Sequence, residues 1–175
     1  EVALRDGSRH LHRLAPAHGA RTDATGATDY AWALGAPGDE RSLVRGATPD
    51  TSPGPGELEV EVAAAGVNFR DVMKSLGIYP ANRDEDFLLG DEFAGRVVAV
   101  GEGVSGWKPG DEVMAIAPGC FASSVRIPAR AASRKPPGID FASAATVPVA
   151  FLTAWYGLRT LGRLRAGETV LVHAA

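Results

Sequence analysis

The 175 residues contain one cysteine, Cys120. A lone thiol excludes an internal disulfide framework, fits a reducing cytoplasm, and reads as a small buried apolar residue or an exposed thiol. Long runs of one charge are also missing. Lys and Arg number 18 against 21 Asp and Glu, a formal net charge of −3, so neither a nucleic-acid surface nor a polybasic membrane patch is indicated. The longest apolar stretch, 147–156, is too short to cross a bilayer and is broken by Thr153. No secretion signal stands at the start, and a chain beginning with Glu1 is expected to be an excised piece of a longer one, so its targeting is not legible from that end. Gly (21) and Pro (12), in contrast, are plentiful. They favour a turn-rich β domain over a helical bundle.

Residues 1–56 read as a lead-in or linker segment with short strands. Alternation around Asp6-Gly7 suggests a strand or hairpin, 16–29 is small, polar and unpatterned and reads as a loop or linker, and Tyr30, Trp32 and Leu34 fall on one face of a short strand before a turn at 35–38. The stretch 49–56 is a stiff Pro-rich loop. His10, His12 and His18 lie in this segment and read as solvated, because a metal site needs more converging ligands. From Glu57 the pattern sharpens. Glu57, Glu59 and Glu61 alternate with Leu58, Val60 and Val62, which predicts a strand with one wet and one dry face.

Phe69, Val72, Met73 and Leu76 then recur at helical spacing and predict a two-turn helix burying that stripe, opened by Asn68 at the N-cap and ended at Gly77. Arg70 and Asp71 read as an exposed pair on it. Further strands are expected over 93–100, 112–117 and 121–127, separated by turns at 101–103 and 109–111, a spacing that suggests a small, partly closed barrel. After Gly138 the period changes. Asp140 can cap a short helix, Pro148 can open a longer one to about Leu161, and 168–173, with Val170, Leu171 and Val172 in a row, reads as a strand buried on both faces. Phe121, Trp155 and Tyr156 read as core, with one of them available to line a tunnel.

The stretch GVNFRDVMKSLGIYPANRDEDFLLGDEFAG, residues 66–95, resembles the first half of the catalytic domain of medium-chain dehydrogenase/reductases. The likeness extends over 57–175 and is greatest to the zinc-free branch, in particular the enoylreductase domains of modular polyketide synthases. The fold this implies is mainly β with helices (α+β): a GroES-like, partly closed β-barrel substrate-binding domain over 57–147, followed over 148–175 by the first helix and strand of a truncated Rossmann domain. Zinc-containing relatives place a Cys where this chain has Asn68 and a His where it has Asp91, and carry a separate four-Cys lobe. With one Cys in total that inventory is not met, so no metal is expected.

The resemblance implies reduction, by NADPH, of an α,β-unsaturated thioester carried on the phosphopantetheine of an acyl carrier protein, within a cytoplasmic multifunctional synthase that also contains ketoreductase and dehydratase domains. Hydride goes to the β carbon, charge moves to the thioester oxygen, and a proton is later delivered to the α carbon. It assigns Tyr79, in LGIYP, as the catalytic donor that steers protonation of an α-methyl branch; an ordinary phenol carries its proton at neutral pH. The alternative for Tyr79 is a loop tyrosine packed on Pro80. Asn68 and Thr153 are implied to face the cofactor, while capping and back-bonding to the helix are the plain readings of the same two residues. Asp91 and Glu92 are candidates for shaping the cleft, not for sharing a proton, since neighbours on a strand point apart. The Gly-rich turn for the pyrophosphate does not occur in these residues, so the 175 residues alone are expected neither to bind NADPH tightly nor to turn over. Rival readings are a stand-alone quinone or enone oxidoreductase and a non-catalytic structural remnant in a synthase.

Overall fold

The computed structural model describes residues 2–5, 8–11, 29–35, 43–47, 52–80 and 88–173. The predicted turn at Asp6-Gly7, most of the turn at 35–38, most of the loop at 16–29, and His12 and His18 lie outside them. Strand β1 (Val2–Arg5) pairs antiparallel with β2 (Ser8–Leu11), with Arg5 opposite Ser8, as the alternation suggests. Strand β3 (Ala31–Leu34) pairs with β4 (Leu43–Gly46), a partner the sequence reading did not supply.

The centre of the molecule is β5 (Glu57–Gly66), whose alternation places Leu58 and Val60 in the core and leaves its glutamates wholly or partly in solvent. It pairs on one side with β6 (Glu92–Val100) and on the other with β8 (Ser124–Pro128). Strand β7 (Glu112–Ile116) continues the sheet from β6 and the two-residue β9 (Ser133–Arg134) ends it, giving the antiparallel order β8-β5-β6-β7-β9. Leu58, Val60, Phe93, Val97, Val113, Ile127 and the thiol of Cys120 form its core. The sheet is open among the described residues; no closed barrel is formed.

Residues 30 and 32 are bonded to the stretch just before β8. Trp32 N donates to Phe121 O (2.8 Å), Ser123 N to Tyr30 O (2.8 Å) and Tyr30 N to Ser123 Oγ (3.0 Å). Helix α2 (Phe141–Ala145) is capped by Asp140, which accepts from Ser143 N at 2.7 Å, and sets Ala144 and Ala145 against Ala94 of the sheet. Helix α3 (Pro148–Trp155) opens on proline and continues as a wider helical turn over Tyr156–Leu161.

Three expectations are corrected. In α1 (Phe69–Ser75) the predicted dry stripe is wet: Phe69 is 75% exposed and Val72 and Leu76 are also exposed, whereas Asp71 and Lys74 are buried at 4% and 1%. The helix faces the sheet's acidic corner, where its polar residues find charged and backbone partners. Trp155 and Tyr156 are exposed: α3 meets β6 and β7, yet none of its residues is buried among the described residues. The stretch 168–173 forms no strand, since an extended segment needs a neighbour to receive its backbone hydrogen bonds and none is present among the described residues.

Candidate active site

The site gathers where the start of α1 meets the corner leading into β6. Asn68 has extended N-cap geometry (φ −109°, ψ 156°), and Asp71 Oδ2 accepts from Asn68 N at 2.9 Å, the reciprocal half of a capping box. The other Asp71 oxygen accepts from Gly90 N at 2.9 Å. Gly90 has φ +84°, and a Cβ there would lie 2.6 Å from Phe121 N, so only glycine lets this amide approach. Asp71 is thus a buried clamp between helix and corner, not half of the exposed pair expected with Arg70.

Arg70 reaches Asp91 instead. Its Nε donates to Oδ2 at 2.7 Å and its Nη2 to Oδ1, a two-point grip. Lys74, one turn on, sits 3.6 Å from Asp91 Oδ1 and donates to Leu88 O. The buried ammonium therefore has both a counter-charge and a backbone acceptor, as a buried charge requires. The hydrogen bond to Asp91 holds the Arg70 guanidinium even more firmly protonated than usual.

Tyr79 follows the turn at Gly77 and is half-buried. Its ring centroid lies 5.8 Å from the Arg70 guanidinium carbon and 5.8 Å from Lys74 Nζ. The phenol therefore stands against a pair of cations that Asp91 anchors, an arrangement able to present a hydroxyl to an oxygen that gains charge. Lys74 was not singled out in the sequence, and Arg70 was read there only as half of an exposed pair with Asp71. Their i, i+4 spacing on one helix face, with Asp91 as a nearby acid, is the signal that could have found them.

Glu92, 4% exposed like Asp91, points elsewhere, as expected for neighbours at a strand start. Its Oε1 accepts from Asn68 Nδ2 at 2.9 Å and its Oε2 from Val149 N at 2.8 Å. Thr153 is exposed on α3, the helix to whose first turn Val149 belongs. Asn68 and the helix of Thr153 are thereby joined through one carboxylate, while Tyr79 belongs to the Asp91 group. Cys120 is fully buried and donates its thiol to Glu92 O at 3.1 Å; burial, then the charges of Asp71 and Asp91, push the thiol up to about 12. Among the described residues no three His, Cys, Asp or Glu side chains converge as a metal-holding group, and no helix is long and apolar enough to cross a membrane.

Residues 54–151 match the family model described as "Alcohol dehydrogenase GroES-like domain". The chain is 47% identical over 139 residues to phthioceranic/hydroxyphthioceranic acid synthase of Mycobacterium tuberculosis, covering 79% of this chain and 6% of that protein. It is 42% identical over 182 residues to a mycocerosic acid synthase-like polyketide synthase of the same species, covering 100% of this chain and 9% of that protein. Among solved structures, the CurK enoyl reductase superposes with a TM-score of 0.75 at 34% identity over 81% of this chain and 46% of that one. The chain thus spans less than a tenth of these synthases and under half of the structural neighbour.

Proposed function

Because the chain belongs to the alcohol dehydrogenase GroES-like domain family, with polyketide synthases as homologues and enoyl reductases as structural neighbours, we propose that it forms the substrate-binding part of an enoylreductase in a modular polyketide synthase. The reaction is reduction of an acyl-carrier-bound α,β-unsaturated thioester, inside a polypeptide that includes the other domains of the synthase. The observation carrying this reading is the phenol of Tyr79 set against Arg70 and Lys74, with both cations anchored on buried Asp91.

The cofactor is NADPH, which supplies hydride when bound. The amide of Asn68 and the hydroxyl of Thr153 are neutral hydrogen-bonding groups and fit the carboxamide of a nicotinamide, so these two residues would hold its reactive end. The flanking apolar surface, with Phe69 and Val67 exposed beside Asn68, keeps water away from the reacting carbons. Tyr79 donates a hydrogen bond to the thioester oxygen as that oxygen gains charge, or its proton to the α carbon, and the adjacent cations favour the negative product of either transfer. Two anchored cations make this donor rigid, which suits a role in choosing the face of protonation.

The test uses the complete reductase with a crotonyl-type thioester and its α-methyl analogue. Tyr79→Phe is expected to lower kcat by about a hundredfold to ten-thousandfold, the range of a lost general acid, and to scramble or invert the α-methyl centre. Unchanged rate and unchanged configuration would remove Tyr79 from the chemistry. Turnover of a quinone with none of the thioester would overturn the substrate assignment.

A further inference from the structure

Glu92 is the one carboxylate of the site whose two oxygens serve two distant parts of the chain. Oε1 accepts from the side chain of Asn68, 24 residues earlier, and Oε2 from the backbone of Val149, 57 residues later. Pro148 has no amide hydrogen, so the Val149 N–H is the first that α3 offers, and it belongs to the turn that a helix leaves unpaired. The positive end of α3 favours a carboxylate there. Room for the side chain comes from Gly66, where a Cβ would sit 2.6 Å from Oε1 and 2.8 Å from Ala145 O. The Glu92 carbonyl is fixed as well, by the thiol of Cys120 at 3.1 Å.

We propose that Glu92 is a positioning residue: it keeps the Asn68 amide and the start of α3 in register, and thereby aligns Asn68 with Thr153 for the nicotinamide cofactor. The alignment for the cofactor rests on the function proposed above; the register does not. Carboxylate chemistry is required because both partners are donors. A glutamine at this position has one acceptor oxygen and one NH2 group, so one of the two donors must face another donor. A buried mismatch of this kind is resolved by one element moving away.

Hydrogen–deuterium exchange and NADPH titration on the complete reductase test this. Glu92→Gln is expected to speed exchange at 148–152 by about tenfold while leaving 112–128 unchanged, and to weaken NADPH by about tenfold with a smaller change in kcat. The double variant Asn68→Asp with Glu92→Gln reverses the polarity of one bond and frees the glutamine oxygen for Val149. Exchange at 148–152 should then return to the wild-type rate. Unchanged exchange in Glu92→Gln, a rise spread evenly over the sheet, or no recovery in the double variant would each overturn the register. Loosened 148–152 with unaltered NADPH affinity would overturn the link to the cofactor. A wild-type protein that neither binds NADPH nor reduces the thioester would sink the proposed function, while the exchange experiment would still decide the register.

Discussion

The sheet built on β5 and β6 and the helical stretch after Pro148 are both rich in apolar residues, yet they treat them oppositely. Leu58, Val60, Phe93 and Val113 are wholly buried, whereas Phe151, Trp155, Leu161 and Leu171 are exposed. Apolar character is therefore not what separates inside from outside here. Strands β5 and β6 each have partners on both edges, and α2 packs on the sheet through Ala144 and Ala145. The helix after Pro148 has a fixed start, given by Glu92, and no buried residue among the described residues. Stability should therefore be concentrated on the other side of the comparison.

The largest effect should come from breaking the charged corner that closes the sheet. Asp91→Ala strands the buried ammonium of Lys74 and releases Arg70, and is expected to cost about 3–5 kcal/mol, read as a fall in the urea midpoint. Matched truncations sharpen the contrast. Leu58→Ala should cost about 2–5 kcal/mol, while Leu161→Ala should stay within about 0.5 kcal/mol; equal losses would show that the helical stretch is packed after all.

Next is the alkaline limb. Cys120 has a folded pKa of about 12 against about 8.5 for a free thiol. The neutral thiol is favoured by folding, so its contribution is complete below the unfolded value and is lost as pH rises towards the folded one. Cys120 should accordingly resist Ellman's reagent at pH 8 until urea unfolds the sheet, and Cys120→Ala should flatten the decline in stability above pH 9. The smallest effect is at α2, where the hydrogen bond from Ser143 N lowers the Asp140 carboxyl below its ordinary value. That contribution is present above the unfolded pKa and fades as pH falls through the folded one. Asp140→Ala should therefore reduce the urea midpoint slightly at pH 7 and leave it unaltered at the acid end.

Much of the fold was legible in the chain. The Glu-Leu-Glu-Val alternation gave β5 and its dry face, Asp140 gave the start of α2, and Pro148 gave the start of α3, because each depends on neighbours a few residues away. Helix α1 was legible as a helix and misread as to its faces. Its buried Asp71 and Lys74 answer to Gly90, Asp91 and Leu88, which lie 14 to 19 residues further on in the hydrogen-bonded pairs and leave no mark on local periodicity. Trp155 and Tyr156 were misjudged for a related reason: periodicity reports which side of a helix is apolar, not whether anything covers it. In the site, Asn68, Tyr79 and Thr153 came from the resemblance. The sequence could not show that Asn68 and α3 converge on Glu92, nor that Arg70 and Lys74 gather on Asp91 around Tyr79, since these are contacts made across the fold.

The bonds from Tyr30 and Trp32 to residues 121–123 bear on how this domain could be exchanged with that of a relative. The family match begins at residue 54, which invites a recombination junction there. A cut at that point would sever the donor from Trp32 to Phe121 O and the acceptor for Ser123 N, so the recipient's own upstream hairpin would have to fit a foreign edge. Splicing before residue 29 transfers both halves of that seam together.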